Sequence, residues 1–207
     1  MTEEETTGGE GNSSSNAATN EDDYIKTTTH NFISRKAVIE GPRQVAIQGR
    51  SIVESHVKIR GDLGIVRLGR YVFISSSTTL EPAPFAAGMG PPSDTMKNVP
   101  MVIGNQTCVG THCHIQAAAI GSMVWIGNHV KIGKRCIIKD CCVIDDHVVL
   151  GDDTVIPPFT RVFYDNGNQQ QQCLTVSQAE LPPSMTVELQ EKAMEQYDAF
   201  VNVQRAR

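Results

Sequence analysis

Two histidines and one glutamate come nearest, in type and spacing, to a group that could do metal chemistry. His112 and His114 are two residues apart, so on one strand both imidazoles would point to the same face, and Glu81 could add a carboxylate. Zinc is held by three or four such ligands. A rearranged zinc site is therefore one interpretation, and histidines exposed on the protein wall are the simpler one. His129 and His147 are expected at the surface.

Cysteines are the other candidate reactive groups, and none of the six belongs to a CxxC pair. The acidic, polar start of the chain predicts no secretory signal. We therefore expect reduced, partly buried thiols in a cytosolic protein. No P-loop, GxGxxG motif or nucleophile elbow is present in the sequence. The cysteines are Cys108, Cys113, Cys136, Cys141, Cys142 and Cys173.

A six-residue repeat must position all of these side chains. Neither a helix nor a simple alternating strand explains an aliphatic residue at every sixth position. The clearest run is Ile120, Ile126, Ile132, Ile138, Ile144, Leu150 and Ile156. A small or β-branched residue follows four positions later, at Val124, Val130, Cys136, Cys142, Val148, Thr154 and Thr160. Earlier aliphatic sets are Ile47, Val53 and Ile59, then Leu68, Ile74 and Leu80, then Ile103, Val109 and Ile115. Thr107, Cys113 and Ala119 are the small residues of that last set.

Each hexad predicts one short strand and one bend. Three hexads close a triangular coil, and coils stack at the ~4.8 Å spacing of neighbouring strands. The hexads led by residues 120, 126 and 132 would form one coil and those led by 138, 144 and 150 the next. About five complete coils plus fragments are expected, in a prism of roughly 24 Å.

The remaining segments differ from the repeat in composition. The first 25 residues carry seven acids and no base, and the rest of the chain has a net charge of about +2, which provides no basic stripe for nucleic acid. No apolar stretch approaches the ~20 residues of a membrane span. Ser184 is a candidate N-cap for a helix whose apolar face should lie on the prism. Its apolar residues are Met185, Leu189, Ala193, Tyr197, Phe200 and Val201. The expected segments are a disordered acidic tail (1–22), the β-helix (23–165) with an ejected loop (81–101), a linker (166–183) and the helix (184–204).

The segments 59–62 (IRGD) and 66–69 (VRLG) resemble the entry to the γ-class carbonic anhydrases. That family implies a left-handed parallel β-helix with a C-terminal helix, and a trimer that holds zinc on three histidines. In its register the ligand positions fall at Glu81, Thr111 and Gln116, so none is histidine. Arg60 and Asp62 remain, and their ion pair can serve architecture alone. Acyl transfer, the other enzymatic branch of hexapeptide-repeat proteins, has no recognisable coenzyme A loop here.

A non-enzymatic family is more similar. The residues that carry this likeness lie at 23–25, 31, 34–35, 59–63, 66–70, 117–118, 120–122, 126–127, 139–142 (KDCC), 155–160 (VIPPFT) and 180–182. They resemble the dynactin subunit five family over about 23–201. The acidic extension, the Ala/Gly/Pro-rich loop at 86–95 and the Gln run depart from it.

The resemblance implies an all-β solenoid that serves as a structural subunit of the dynactin pointed-end complex in the cytoplasm and cytoskeleton. Its implied partners are the sister β-helix dynactin subunit six, other pointed-end subunits, the end of the actin-related filament, and cargo adaptors of dynein-driven microtubule transport. We expect no catalytic, cofactor or metal residue, no nucleic acid and no membrane insertion. The alternative is a γ-carbonic-anhydrase-like metal-binding homotrimer, for which a mitochondrial location is open. The two prism ends and loop 81–101 are the candidate contact surfaces.

Overall fold

A three-walled parallel β-helix with one helix along it forms the body of the protein. The computed structural model describes residues 23–86, 98–164 and 176–206. The predicted tail over 1–22 lies outside these ranges, as do the middle of loop 81–101 and the first part of the linker 166–183. The predicted hexapeptide-repeat β-helix with a C-terminal helix is confirmed.

The strands are short and follow one another around the prism. The first half contains β1 (Tyr24–Lys26), β2 (Phe32–Ser34), β3 (Val38–Glu40), β4 (Val45–Gly49), β5 (Ile52–Val53), β6 (Lys58–Arg60), β7 (Val66–Arg70), β8 (Phe73–Ile74), β9 (Thr79–Leu80) and β10 (Met101–Ile103). The second half contains β11 (Cys108–Val109), β12 (His114–Ile115), β13 (Ala119–Ile120), β14 (Trp125–Ile126), β15 (Lys131–Ile132), β16 (Ile137–Ile138), β17 (Val143–Ile144), β18 (Val149–Leu150), β19 (Val155–Ile156), β20 (Thr160–Tyr164) and β21 (Val176–Glu180).

These strands form three walls. Wall A has the order β1-β2-β5-β8-β11-β14-β17-β20-β21, wall B β3-β6-β9-β12-β15-β18, and wall C β4-β7-β10-β13-β16-β19. Pairing along the walls is parallel, and the two outermost pairs of wall A, β1–β2 and β20–β21, are antiparallel. Six complete coils result, one more than the sequence predicted, so the prism is roughly 29 Å tall at the spacing of neighbouring strands.

The predicted inward positions form the core. Every aliphatic residue of the run from Ile120 to Ile156 is at most 4% exposed. The small residues Val124, Val130, Cys136, Cys142 and Val148 are also buried. The assignment of Ala119 to the small position was wrong, because Ala119 faces outward on β13 while Ala117 is 1% exposed.

Glycine at the corners lets consecutive coils stack closely. A Cβ added to Gly104 would lie 2.5 Å from the carbonyl carbon of Gly121 in the next coil. Real Cβ atoms do not approach a backbone atom this closely, so a larger residue at Gly104 would push two coils apart.

The helix α1 (Met185–Arg205) lies along wall A. Its buried residues, Leu189 and Ala193, sit on the face that the sequence predicted. The Lys192 ammonium lies 3.6 Å from the centre of the Trp125 ring on β14. Ser184 precedes the helix as predicted, but its side chain makes no capping hydrogen bond. Within the described ranges, no helix has the length and apolar character needed to cross a bilayer.

Candidate functional site

Glu81 and His114 are brought together on wall B. Strand β9 pairs with β12 so that Leu80 lies opposite Ile115, and the backbone N–H of Glu81 donates to the Ile115 carbonyl at 2.9 Å. The Glu81 carboxylate therefore reaches His114, with 3.0 Å between Oε2 and Nε2. Both side chains remain partly exposed. The structure thus brings together two of the three side chains, Glu81 and His114, that a rearranged zinc site would use.

His112 lies elsewhere. Its backbone has a left-handed φ of 54° at the corner between walls A and B, so the chain turns between His112 and His114. Its ring stacks on His129 at 5.0 Å between centroids, and His129 stacks on His147 at the same distance. The prediction that His112 and His114 share a face is thus wrong. The predicted exposure of His129 and His147 is confirmed. Among the residues with described positions, no three metal-ligating side chains converge on one point.

Thr111 and Gln116, at the other two positions where the carbonic anhydrase resemblance would require histidine, stabilise the coil stack. The Thr111 backbone N–H and hydroxyl both donate to the Asn128 side-chain oxygen, at 2.9 and 3.0 Å. The Gln116 backbone bonds to Ile132 and Arg135 at 3.0 Å. A carboxylate, a hydroxyl and an amide are a poor donor set for zinc, which selects imidazole and thiolate. These residues do not fit the metal.

Arg60 forms a tight pair with Asp62 and also links its coil to the first coil. The Arg60 guanidinium donates to both Asp62 oxygens at 2.8 Å and also reaches Glu40 of the first coil at 2.6 Å. Lys58 pairs with the same Glu40 at 3.0 Å. The hydrogen bonds from Arg60 lower the pKa of Asp62 to about 2. A carboxylate held ionised by a neighbouring guanidinium is suited to architecture rather than to proton transfer.

The described cysteines are buried and free, as predicted. Burial raises the pKa of Cys108 to about 12, and it raises the pKa values of Cys113, Cys136 and Cys142 as well. Thiols that stay protonated are weak nucleophiles. Cys173 lies outside the described residues.

The two ends of the prism expose strand edges. On wall A, the antiparallel strands β1 and β21 cover the edge at each end. Walls B and C, within the described ranges, end on β3 and β4 at one end and on β18 and β19 at the other. Exposed apolar side chains accompany three of these strands: Val38 is 50% exposed, Val149 48% and Val155 56%. That the ends are contact surfaces stays a prediction, and the sequence reasoning missed the two covering strands, which lie outside the six-residue register.

The backbone of β19 shows how open the edge is. The carbonyls of Thr154 and Ile156 accept hydrogen bonds from Ile137 and Lys139 of the preceding coil, at 2.9 and 3.1 Å. Because successive backbone groups alternate in direction along a strand, the N–H and C=O of Val155 point away from the prism. On β18 the corresponding N–H, that of Val149, donates to the Tyr164 hydroxyl at 3.0 Å.

Known proteins share both the sequence and the fold. The family model described as Dynactin subunit 5 matches residues 14–203. A curated relative, Dynactin subunit 5 of Dictyostelium discoideum, is 35% identical over 99 residues, which is 48% of this chain and 48% of that protein. The chain thus matches about half the length of this curated relative.

Solved structures show the fold alone. A hexapeptide transferase family protein from Anaplasma phagocytophilum superposes with a TM-score of 0.57 at 14% identity, covering 85% of this chain and 92% of that one. An N-acyltransferase from Bacillus cereus, in complex with dTDP and coenzyme A, gives a TM-score of 0.43 at 17% identity over 80% and 88% of the two chains.

Proposed function

Because the chain belongs to the dynactin subunit 5 family, we propose that it is a structural, non-catalytic subunit of the dynactin pointed-end complex. The observation that carries this role is that walls B and C, within the described ranges, each end on an open strand edge at both ends of the prism. An uncovered edge presents a row of unpaired N–H and C=O groups, which a strand from another chain can extend.

In this proposal the prism ends are where neighbouring subunits attach. The exposed Val155 and its outward N–H and C=O supply an apolar contact and two backbone hydrogen bonds at one end. Val38 on β3 supplies the apolar contact at the other. The partners are the sister β-helix dynactin subunit six, further pointed-end subunits and the end of the actin-related filament. Loop 81–101 is the third contact surface, for cargo adaptors of dynein.

The absence of catalysis is also part of the proposal. Glu81, Thr111 and Gln116 offer donors that do not suit zinc. Burial raises the pKa values of Cys108, Cys113, Cys136 and Cys142, which favours the protonated thiol. A carbonic-anhydrase-like homotrimer is not favoured. The cellular role we propose is support of dynein-driven transport in the cytoplasm, on the microtubule cytoskeleton.

A charge placed on the edge tests the end-contact part of this role. Val155→Asp on the last strand of wall C should weaken capture of the partner subunits about tenfold or more, because a charge on an edge strand opposes pairing. Val102→Asp is the matched control: Val102 also faces outward on wall C, at 42% exposure, but its strand is paired on both sides. Both variants should retain the circular dichroism spectrum of the wild type. Equal partner capture by the two variants would contradict the assignment of this edge.

A further inference from the structure

A groove with a basic rim lies between the first coil and the last turns of α1. Its volume is about 550 Å³, and its floor includes Phe32 and Val201. Lys26, Arg50 and Arg205 line it. A smaller cavity of about 280 Å³ adjoins it and shares four of these residues. The groove therefore combines an apolar floor with three fixed positive charges.

These three bases have no carboxylate partner among the residues with described positions. The Lys26 ammonium lies 5.6 Å from the centre of the Phe32 ring, and the Arg50 guanidinium donates to the Tyr71 hydroxyl. Among the described residues that line the groove, Asp198 is the one acid. The groove is thus positively charged, and aromatic groups hold two of its cations in place.

Three other arginines on the prism are each neutralised by an aspartate. Arg60, Arg135 and Arg161 each form a two-pronged pair with an aspartate, at distances of 2.6 to 3.0 Å for the closer contacts. Arg67 and Arg70 of wall C also lack an ion pair among the described residues, so what distinguishes the groove is that three such bases line one cavity.

The chain itself carries a segment of the opposite charge, which directly precedes the groove residue Lys26 in the sequence. Residues 1–22 contain the acids Glu3, Glu4, Glu5, Glu10, Glu21 and Asp22 and no base. The segment joins the described structure at Asp23, three residues before Lys26, which is about 10 Å along an extended strand. Glu10 is 13 residues before Asp23. Thirteen residues span at most about 45 Å, so the carboxylates from Glu10 onward are within reach of the groove.

We propose that the acidic segment 1–22 docks across this groove, with its carboxylates against Lys26, Arg50 and Arg205. A short tether gives the segment an effective concentration in the millimolar range, so even a weak contact is substantially occupied. Each exposed ion pair contributes a factor of about two, and three together give about eightfold. The C-terminal end of α1 carries a partial negative charge, which Arg205 in the last turn offsets. This inference rests on charge and tether length and does not depend on the proposed dynactin role.

Zero-length crosslinking of the full chain tests the proposal. A water-soluble carbodiimide joins a carboxylate to a lysine amine in contact with it, and mass spectrometry of the monomer band locates each link. We expect links from Glu3, Glu4, Glu5 or Glu10 to Lys26 to be about eightfold more frequent than links to Lys131, which is exposed on wall B. At 1 M salt, where the Debye length is ~3 Å, the ion-pair contribution should be lost and the links to Lys26 should fall several-fold.

Two variants separate docking in the groove from simple proximity. Arg50→Ser with Arg205→Ser should reduce the links to Lys26 several-fold, whereas Arg67→Ser with Arg70→Ser, the same change in charge on wall C, should leave them unchanged. An unchanged circular dichroism spectrum verifies the fold of both. Equal linkage to Lys26 and Lys131, or a Lys26 preference that survives the loss of Arg50 and Arg205, would overturn the proposal. Links found solely in a crosslinked dimer would also overturn it, since the occupant would then be a second copy.

Discussion

Replacing Ile132 with alanine removes a side chain from the middle of the stacked core. Ile132 on β15 is 0% exposed and points into the prism. Its strand is paired with β12 on one side and β18 on the other, so Ile115 and Leu150 lie directly next to it in adjacent coils. The backbone around it is therefore held by hydrogen bonds above and below and cannot collapse into the space that the substitution leaves.

The cost of this substitution has two parts. Removing three carbon atoms forfeits about 2.4 kcal/mol of transfer free energy at ~0.8 kcal/mol for each buried methylene. A residual cavity of roughly 60 Å³ adds about 1.4 kcal/mol at ~24 cal/mol per Å³. We expect Ile132→Ala to lower the free energy of unfolding by about 4 kcal/mol, in the upper half of the range for such changes. Ile132→Asp, or Ile138→Asp, should prevent folding altogether, because an unpaired carboxylate would be buried.

Urea unfolding followed by far-ultraviolet circular dichroism and by the fluorescence of the single tryptophan measures this cost. Lys131→Ala is the matched control, since Lys131 is the neighbouring residue on the same strand and faces solvent. It should change stability by less than about 0.5 kcal/mol. A loss below about 1 kcal/mol for Ile132→Ala, with an unchanged slope, would refute the register on which the fold description rests.

Further consequences concern the corners, the thiols and the helix. Gly104→Ala should destabilise the protein by about 1–3 kcal/mol in the same urea assay, because its Cβ would meet the backbone of the next coil, whereas Gly151→Ala should be tolerated, since its nearest heavy atom would be 3.9 Å away. Burial raises the pKa of Cys108 from 9.0 to about 12, so the stability that the buried thiol contributes is intact below pH 9 and is lost as the pH rises towards 12. In Cys108→Ala, the free energy of unfolding should therefore fall less steeply between pH 9 and pH 12 than in the wild type. Leu189→Asp, at a position 4% exposed, should detach α1 and shift the tryptophan emission to longer wavelength, whereas Val187→Asp, at 58% exposure, should not.

The sequence predicted the three walls well because the aliphatic residues of its six-residue repeat are the residues that the fold buries. When each coil has three sides, residues six positions apart lie on successive walls. Ile120, Ile126 and Ile132 could therefore be placed on three different walls from the sequence alone. The same logic identified the buried face of α1 through Leu189 and Ala193.

The first coil was missed because its spacing is irregular. Ile33 and Ile39 keep the six-residue interval, but the next inward residue, Ile47, follows after eight. A 3-10 turn over Pro42–Gln44 takes up the extra residues at this corner. A prediction that requires strict six-residue spacing therefore misses the first coil and gives one coil too few.

The corners also limited prediction of the candidate site. Whether His112 and His114 share a face depends on the backbone between them, and the left-handed φ of His112 turns that backbone. Histidine tolerates this conformation better than most residues, but its presence does not require it. The contact between Glu81 and His114 depends on long-range strand pairing. The two residues meet because β9 and β12 are neighbours in wall B, although the loop between residues 80 and 101 separates them in the sequence.

Affinity capture of the tagged protein from its own cell extract, with zinc determined in the same eluate, tests the central claim most directly. A dynactin subunit that serves as a scaffold should bring down the actin-related protein, the sister β-helix and dynein components, without stoichiometric zinc. Recovery of a zinc-loaded homotrimer without those partners would contradict the account.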